Sequence, residues 1–199
     1  MSDHSVSTQA TAKRAQILQA AVRLITRDGL GQVKSSIVAR EAGVSVGLVH
    51  YHFATLDVLI REAFMFADAI TLRAMADAAQ EAESGREEIE LRLFTWLERS
   101  EEFEQAWKIW GEFWHAARQQ GDIRTLLHTL WDEWLQLIIE VVDRGKQDGS
   151  IPARVQSSDA ARRLAALLES LGQQLTTGLV TVGDARRLLR GAMDMEFQQ

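Results

Sequence analysis

A short segment, residues 36–53, constrains the fold of this chain more than any other. It reads SIVAREAGVSVGLVHYHF and predicts two short helices that meet at a sharp corner. Gly43 supplies the left-handed backbone that ends a helix at little cost, and Ser45 is a good N-cap for the next helix. Ala39, Gly43 and Val49 occupy the positions where a helix-turn-helix needs a small residue, a tight turn and a buried aliphatic side chain. The spacing predicts a helix-turn-helix whose second helix contacts DNA.

The remainder of the chain predicts an all-α protein. Apolar residues recur at helical spacing, strand alternation is missing, and the 199 residues include one proline, Pro152. The other predicted helices cover residues 11–28, 55–82, 86–100, 103–119, 123–146, 157–179 and 184–197. We therefore predict three segments: a helix-turn-helix DNA-binding head at 1–54, a connector helix at 55–84, and a ligand-binding and dimerisation domain at 85–199.

Charge is divided unevenly along the chain. The whole sequence has a net charge of −6, but residues 1–54 carry six basic and three acidic side chains, a net +3. The remaining residues carry 16 basic and 25 acidic side chains, a net −9. A basic head on an acidic body is typical of a DNA-binding module joined to a module with another task.

Composition narrows the class of protein further. The chain has no cysteine, which excludes disulfides, thiolate metal sites and cysteine nucleophiles. The polar start, MSDHSVSTQAT, is unlike a secretory signal, and no apolar run approaches the roughly 18 residues that span a bilayer. Since no phosphate-binding glycine loop, nucleophile elbow or paired zinc motif is found either, we expect a cytoplasmic protein that is not an enzyme, needs no cofactor and contacts no membrane.

All six tryptophans lie between residues 96 and 134. They are consistent either with a large helical core or with an aromatic pocket for a planar or cationic ligand. Three of them, at 107, 110 and 114, share one helix face, and Glu112 or Glu133 would supply a counter-charge. The predicted ligand-binding residues are Trp107, Trp110, Trp114, Trp131, Trp134 and Glu112.

Glu112 and His115 also form a Glu-x-x-His motif, the kind of step that occurs in carboxylate bundles that bind two metal ions. Such bundles need a second copy of the step, and this sequence has none. We therefore interpret the step as coincidence and predict no metal site.

Three stretches of the N-terminal third, ILQAAVRLITRDGL, IVAREAGVSVGLVHYHF and TLDVLIREA, resemble the TetR family of transcriptional regulators. Two stretches of the body, AWKIWGEFWHAAR and DAARRLAALLESL, are similar to the choline-responsive BetI-type repressors. The resemblance implies a homodimer that binds a palindromic operator and releases it when a small molecule enters the body. It also implies that the last two long helices pair across the dimer axis.

A leucine stripe agrees with that pairing. Its residues recur at helical spacing beside small residues that permit close approach: Leu164, Leu168, Leu171 and Leu175. The alternative is that they face only the core of their own protomer.

The resemblance also assigns DNA-contacting positions. Those in and around the helix-turn-helix are Ser36, Ser45, Val46, Gly47, Leu48, His50, Tyr51 and Thr55. Because residues 45–60 contain no lysine or arginine, this helix cannot make bidentate arginine–guanine contacts. Val46 and Leu48 are left for thymine methyl groups, and His50 and Tyr51 for hydrogen bonds. Phosphate attraction must then come from Lys13, Arg14, Lys34 and Arg40, which predicts that DNA affinity depends less steeply on salt than in a lysine-rich relative.

These observations favour a DNA-binding repressor that a small molecule releases from its operator. A helical sensor or interaction protein that has lost DNA binding is the rival interpretation, because the recognition helix lacks basic residues. A helical metalloenzyme rests on the single Glu-x-x-His step.

Overall fold

The computed structural model describes the backbone of residues 3–197 and the side chains of residues 10–197. Within these residues the chain forms helices and no strand, which confirms the all-α prediction. Nine α-helices follow one another: α1 Asp3–Asp28, α2 Ser35–Glu41, α3 Val46–His52, α4 Leu56–Ala78, α5 Gly85–Thr95, α6 Glu101–Ala117, α7 Gly121–Asp148, α8 Ser157–Thr176 and α9 Val182–Phe197. A short 3-10 helix, Leu30–Gln32, lies between α1 and α2. No helix of this described part has the length and apolar content needed to cross a bilayer.

Helix boundaries differ from prediction at the start of α1 and at the ends of α4, α5 and α8. Helix α4 ends at Ala78 rather than residue 82, and α5 ends at Thr95 rather than Ser100. Helix α1 begins at Asp3 rather than Thr11, since the polar residues before Thr11 contain neither glycine nor proline to stop a helix. Helix α8 ends at Thr176 rather than Leu179. Gly178 lies at φ +72°, and the N–H of Leu179 donates to Gln174 O at 2.9 Å, which is the hydrogen bond of a Schellman cap.

The predicted corner between α2 and α3 is confirmed in detail. Gly43 has φ +63°, and the N–H of Val44 donates back to Ala39 O at 2.9 Å, so α2 also ends in a Schellman cap. Ser45 then caps α3, because its Oγ accepts from the N–H of Leu48 at 3.2 Å. The direction of α3 is therefore fixed by hydrogen bonds within a few residues of the turn.

The chain divides into two compact units. The head unit contains the described residues up to Ala69 together with Lys108–Arg124, and the body unit contains Ile70–Trp107 together with the described residues from Thr125 onward. Helices α4 and α6 each contribute residues to both units. The division by role at residues 54 and 84 stays a prediction, since packing alone does not assign DNA binding or ligand binding.

The core of the head unit is formed by the predicted apolar stripe of α1 and by residues from α2, α3 and α4. Its buried members include Ile17, Leu24, Ile25, Val38, Val49, Phe53 and Phe64. The second half of α6 adds two rings to this core. Phe113 and Trp110 lie 3.9 Å and 4.8 Å from Phe64, measured between ring centroids. The three N-terminal helices thus fold together with residues 108–124, which lie far along the chain from them.

The leucine stripe of α8 contradicts the predicted dimer interface. Leu164, Leu168 and Leu171 are buried within the single protomer, and Leu175 is half-buried. Gly172 lies on the same side, where a Cβ atom would come within 2.3 Å of the Trp107 indole. The assignment of the three buried leucines to the interface is therefore wrong, because the stripe faces the interior of its own protomer.

Candidate DNA-binding face and effector site

Helix α3 has one buried and one exposed side. Val49 is buried in the head core, as predicted, and the following Phe53 is buried with it. On the side opposite Val49 the Tyr51 side chain is 79% exposed, and Val46, the first residue of the helix, is 40% exposed. An exposed aromatic ring and an exposed aliphatic group are suited to contact with base edges and thymine methyl groups.

The other predicted positions of α3 differ in their exposure. His50 and Gly47 are exposed, while Leu48 and His52 are half-buried. His52 lies against Tyr51, with ring centroids 5.1 Å apart, and so positions that ring on the exposed side. Of the two aliphatic side chains predicted to contact thymine, Val46 is the more accessible.

Two predicted helix-start positions lie at the edges of this face. Ser36 is exposed in the first turn of α2. Thr55 caps α4, because its Oγ1 accepts from the N–H of Val58 at 3.2 Å. Both hydroxyls lie beside free helix N–H groups, the arrangement that binds phosphate.

The basic side chains of the head are unequally available. Arg14 is paired with Glu62, and its guanidinium lies 5.2 Å from the centre of the Phe53 ring. Lys13 donates to Gln16 Oε1 at 3.1 Å. These two predicted phosphate contacts are therefore engaged within the head.

The other basic side chains of the head also include both paired and unpaired groups. Arg23 and Arg27 are paired with Glu41 at 3.3 and 3.4 Å. Among the described residues up to position 54, Lys34 and Arg40 are exposed cations that form no ion pair or hydrogen bond. Of the basic residues predicted to attract phosphate, these two are therefore the ones left available.

The body unit contains a cluster of aromatic rings around Trp96. Measured between ring centroids, Trp96 lies 4.9 Å from Trp107, 5.8 Å from Phe103 and 6.2 Å from Trp134. Trp96 was not among the predicted ligand-binding residues. It follows the last turn of α5, and nothing in the helical spacing of α6 or α7 places it between Trp107 and Trp134.

Polar groups adjoin this cluster at Trp107. Its indole Nε1 donates to Trp96 O at 2.9 Å, and its own carbonyl accepts from Gln173 Nε2 at 3.4 Å. Gln173 also donates to the Glu169 carboxylate at 3.2 Å. The half-buried Glu169 is therefore linked through Gln173 to the backbone of Trp107.

Glu112 has a different position from the one predicted. Its Oε2 accepts from the N–H of Leu30 at 2.8 Å, at the start of the 3-10 helix of the head. The assignment of Glu112 as a counter-charge to a ligand stays a prediction, and in this structure the carboxylate is bound to the backbone of the head unit.

The remaining predicted ligand residues do not share one site. Trp110 packs on Phe64 in the head unit, and Trp114 of the same unit is 38% exposed. Trp131 and Trp134 are half-buried in the body unit. Of the predicted set, the structure brings Trp107 and Trp134 together around Trp96. Within the part of the chain that the structure describes, no group of three or more histidine, aspartate or glutamate side chains is placed to hold a metal ion.

Comparisons with known proteins agree with this architecture. Residues 17–63 match the family described as bacterial regulatory proteins, tetR family. Residues 85–198 match the family described as BetI-type transcriptional repressor, C-terminal. One relative is the HTH-type transcriptional regulator BetI 1 of Chromohalobacter salexigens, 29% identical over 164 residues, which cover 80% of this chain and 76% of that protein.

Solved structures show the same fold. A TetR-family transcriptional regulator from Rhodococcus sp. superposes with a TM-score of 0.85 at 24% identity, covering 94% of this chain and 99% of that one. A transcriptional regulator from Saccharomonospora viridis, crystallised in complex with choline, superposes with a TM-score of 0.80 at 27% identity, covering 92% and 96%. Because the C-terminal match alone covers more than half of the chain, the chain belongs to the TetR family of bacterial transcriptional regulators and carries a BetI-type repressor C-terminal domain.

Proposed function

We propose that the chain is a homodimeric, cytoplasmic repressor that binds a palindromic operator through α3 and releases it when a small effector enters the body unit. The observation that carries this proposal is the exposed side of α3. Tyr51 and Val46 are large side chains that the head does not bury, on a helix whose direction is fixed by the caps at Gly43 and Ser45. A side of this kind is what a helix in the major groove requires.

The effector that fits the body unit best is a small organic cation. The aromatic rings around Trp96 present electron-rich faces, and Glu169 contributes a carboxylate beside them. The choline complex of the Saccharomonospora viridis regulator supports the same class of ligand. We therefore propose choline or a related quaternary ammonium compound.

Two helices would couple the effector to the head. The predicted route is α4, from Thr55 onward. A second route is α6, which carries Trp107 in the body unit and Glu112 in the head unit. The hydrogen bond from Leu30 to Glu112 links the second half of α6 to the segment just before the helix-turn-helix. A shift of α6 on ligand binding would then change the population of heads able to fit two successive half-sites.

Dimerisation would use the exposed side of α8 and α9 in place of the buried leucines. Leu188 and Met195 are large apolar side chains of α9 that the protomer leaves exposed, and Ala166 and Ser170 are exposed small residues of α8. Met195→Glu is expected to convert dimers to monomers in sedimentation velocity. A dimer of unchanged stability would show that the interface lies elsewhere.

Binding to the gene's own upstream DNA tests the proposal directly. We expect a mobility shift with the native chain, a smaller loss of affinity in Tyr51→Phe, which keeps the ring, and a loss of about tenfold or more in Tyr51→Ala. Tyr51 is the single tyrosine of the chain, so 3-fluorotyrosine labels this position alone. Its fluorine resonance is expected to shift on adding operator. No mobility shift with any upstream fragment would favour the rival, a sensor that has lost DNA binding.

A further inference from the structure

We propose that the effector accepts a hydrogen bond from the indole Nε1–H of Trp96, so that it carries an acceptor oxygen beside its cationic group. This inference rests on the proposed function and specifies the ligand of that same body-unit site. It assigns Trp96 to the site and limits the effector to cations with a hydroxyl, carbonyl or carboxylate oxygen a few bonds away.

The first observation is an unpaired donor. Trp96 is 4% exposed, and its Nε1 is buried without a hydrogen-bond partner among the described residues. An indole N–H can only donate, and a buried donor left unpaired is unfavourable. The neighbouring Trp107 shows the usual state of a buried indole, because its Nε1 donates to Trp96 O at 2.9 Å.

The second observation is the surroundings of that donor. The Trp107 and Trp134 rings lie 4.9 Å and 6.2 Å from the Trp96 ring, tilted by 58° and 64°, so the donor belongs to a cluster of π systems. Glu169 lies near Trp107 through Gln173, which donates both to Trp107 O and to the Glu169 carboxylate. The faces and the carboxylate favour a cation, while the indole N–H favours an acceptor. A small molecule that carries both a cationic group and an acceptor oxygen would interact with the rings, the carboxylate and the indole N–H together.

The rings are in contact in this structure, so the ligand must separate them as it enters. A centroid distance of 4.9 Å between Trp96 and Trp107 leaves no space for a trimethylammonium group between their faces. Entry between them therefore requires one of the two rings to move, and in our proposal this ring is Trp107, a residue of α6. The same movement would transmit ligand binding along that helix.

Calorimetric titration with two isosteric cations tests the inference. Choline and propyltrimethylammonium differ only in a hydroxyl that replaces a methyl group. The native chain is expected to bind choline about tenfold more tightly. In Trp96→Phe, which keeps a ring and removes the donor, the ratio is expected to fall to about one. Trp114→Phe, an exposed indole of the head unit, is the matched control and should keep the native ratio.

The outcomes separate this inference from the function on which it rests. Equal affinity of the native chain for both cations would overturn it, as would a Trp96→Phe chain that still prefers choline; in either case a water or a protein group satisfies the indole. If neither cation bound, the cationic class would be overturned as well. Operator binding is measured without ligand, so its test is independent of these titrations. The native comparison needs no variant, so misfolding of Trp96→Phe cannot obscure the result.

Discussion

At the scale of single residues, Gly47 is a position where the fold leaves room for a larger side chain, whereas closely bound DNA would not. It lies in the first turn of α3, and a Cβ atom added there would meet only Ser45 Oγ, at 3.9 Å. Nothing in the described protein therefore requires glycine at this position. If α3 approaches a phosphate closely, the added methyl group would meet DNA instead.

We predict that Gly47→Ala raises the free energy of unfolding by roughly 0.5–1 kcal/mol, because alanine favours a helix more than glycine does. The same change is expected to weaken operator binding about tenfold. Thermal unfolding and mobility shifts measure the two effects separately. Gly183 is a matched control in the first turn of α9, where a Cβ atom would meet only Thr181 Oγ1 at 3.8 Å. Unchanged operator affinity in Gly47→Ala would show that α3 does not approach the backbone at this point.

The basic residues of the head yield a second prediction at this scale. Lys34 is exposed and unpaired among the described residues, whereas Arg14 is bound to Glu62 and Phe53. Lys34→Gln is expected to lower the slope of log affinity against log salt by about one per protomer, with little change in stability. Arg14→Gln should leave the slope unchanged and lower stability by roughly 1 kcal/mol. The reverse pattern in affinity measured from low to high salt would show that Arg14 leaves its partners to bind phosphate.

At the scale of the helices, local signals were predictable and pairings between distant elements were not. The corner at Gly43 and Ser45 was correct because its hydrogen bonds join residues within five positions. The leucine stripe of α8 was assigned to the wrong side, because periodicity shows that a helix has an apolar face and not what covers it. The hydrogen bond between Glu112 and Leu30 was not predicted for a related reason, since the two residues lie 82 positions apart.

Helix α5 depends on a carboxylate from the end of α7. Asp148 Oδ2 accepts from the N–H of Gly85 at 2.7 Å, in the first turn of α5, and Oδ1 accepts from the N–H of Ser150 at 2.8 Å. Hydrogen bonds from Ser150 and from the Gly85 backbone lower the pKa of Asp148 from its ordinary value of 3.8. The carboxylate therefore stabilises the start of α5 and the turn after α7 together.

This lowered pKa predicts a dependence of stability on pH. A carboxyl group whose pKa is lower in the folded chain favours folding fully above its unfolded pKa, near 3.8, and loses that contribution as pH falls through the folded pKa. Asp148→Asn should therefore lower the melting temperature at pH 6 and lower it progressively less below about pH 4. Melting curves of both chains from pH 6 to pH 3 measure this. A constant difference across the range would mean that the charge of Asp148 does not contribute.

At the scale of the whole molecule, α6 is the helix that we propose couples the effector to the head. It carries Trp107 in the body unit, and its second half packs in the head unit through Phe113 and Glu112. The family resemblance of the N-terminal third could not reveal that α6 packs partly in the head unit. It emerges only once residues 108–124 are seen to fold with the head.

Cutting the link at Glu112 is expected to uncouple the two units. In Glu112→Leu, we predict that the factor by which choline weakens operator binding falls about tenfold, because a charge-assisted hydrogen bond to Leu30 is lost. Glu112→Gln keeps an acceptor oxygen at the same place and should retain most of the effect. Operator titrations with and without choline compare the two variants. Equal coupling in both would leave α4 as the transmitting helix.

The central claim is that one molecule binds its operator and is released by a small cation. The most direct measurement is the affinity of the native chain for its own upstream DNA at fixed salt, with and without saturating choline. We predict binding at a palindromic site whose half-sites lie about one helical turn apart, and a fall in affinity of about 5- to 150-fold with choline. Specific binding that choline leaves unchanged, or no specific binding at all, would contradict the account.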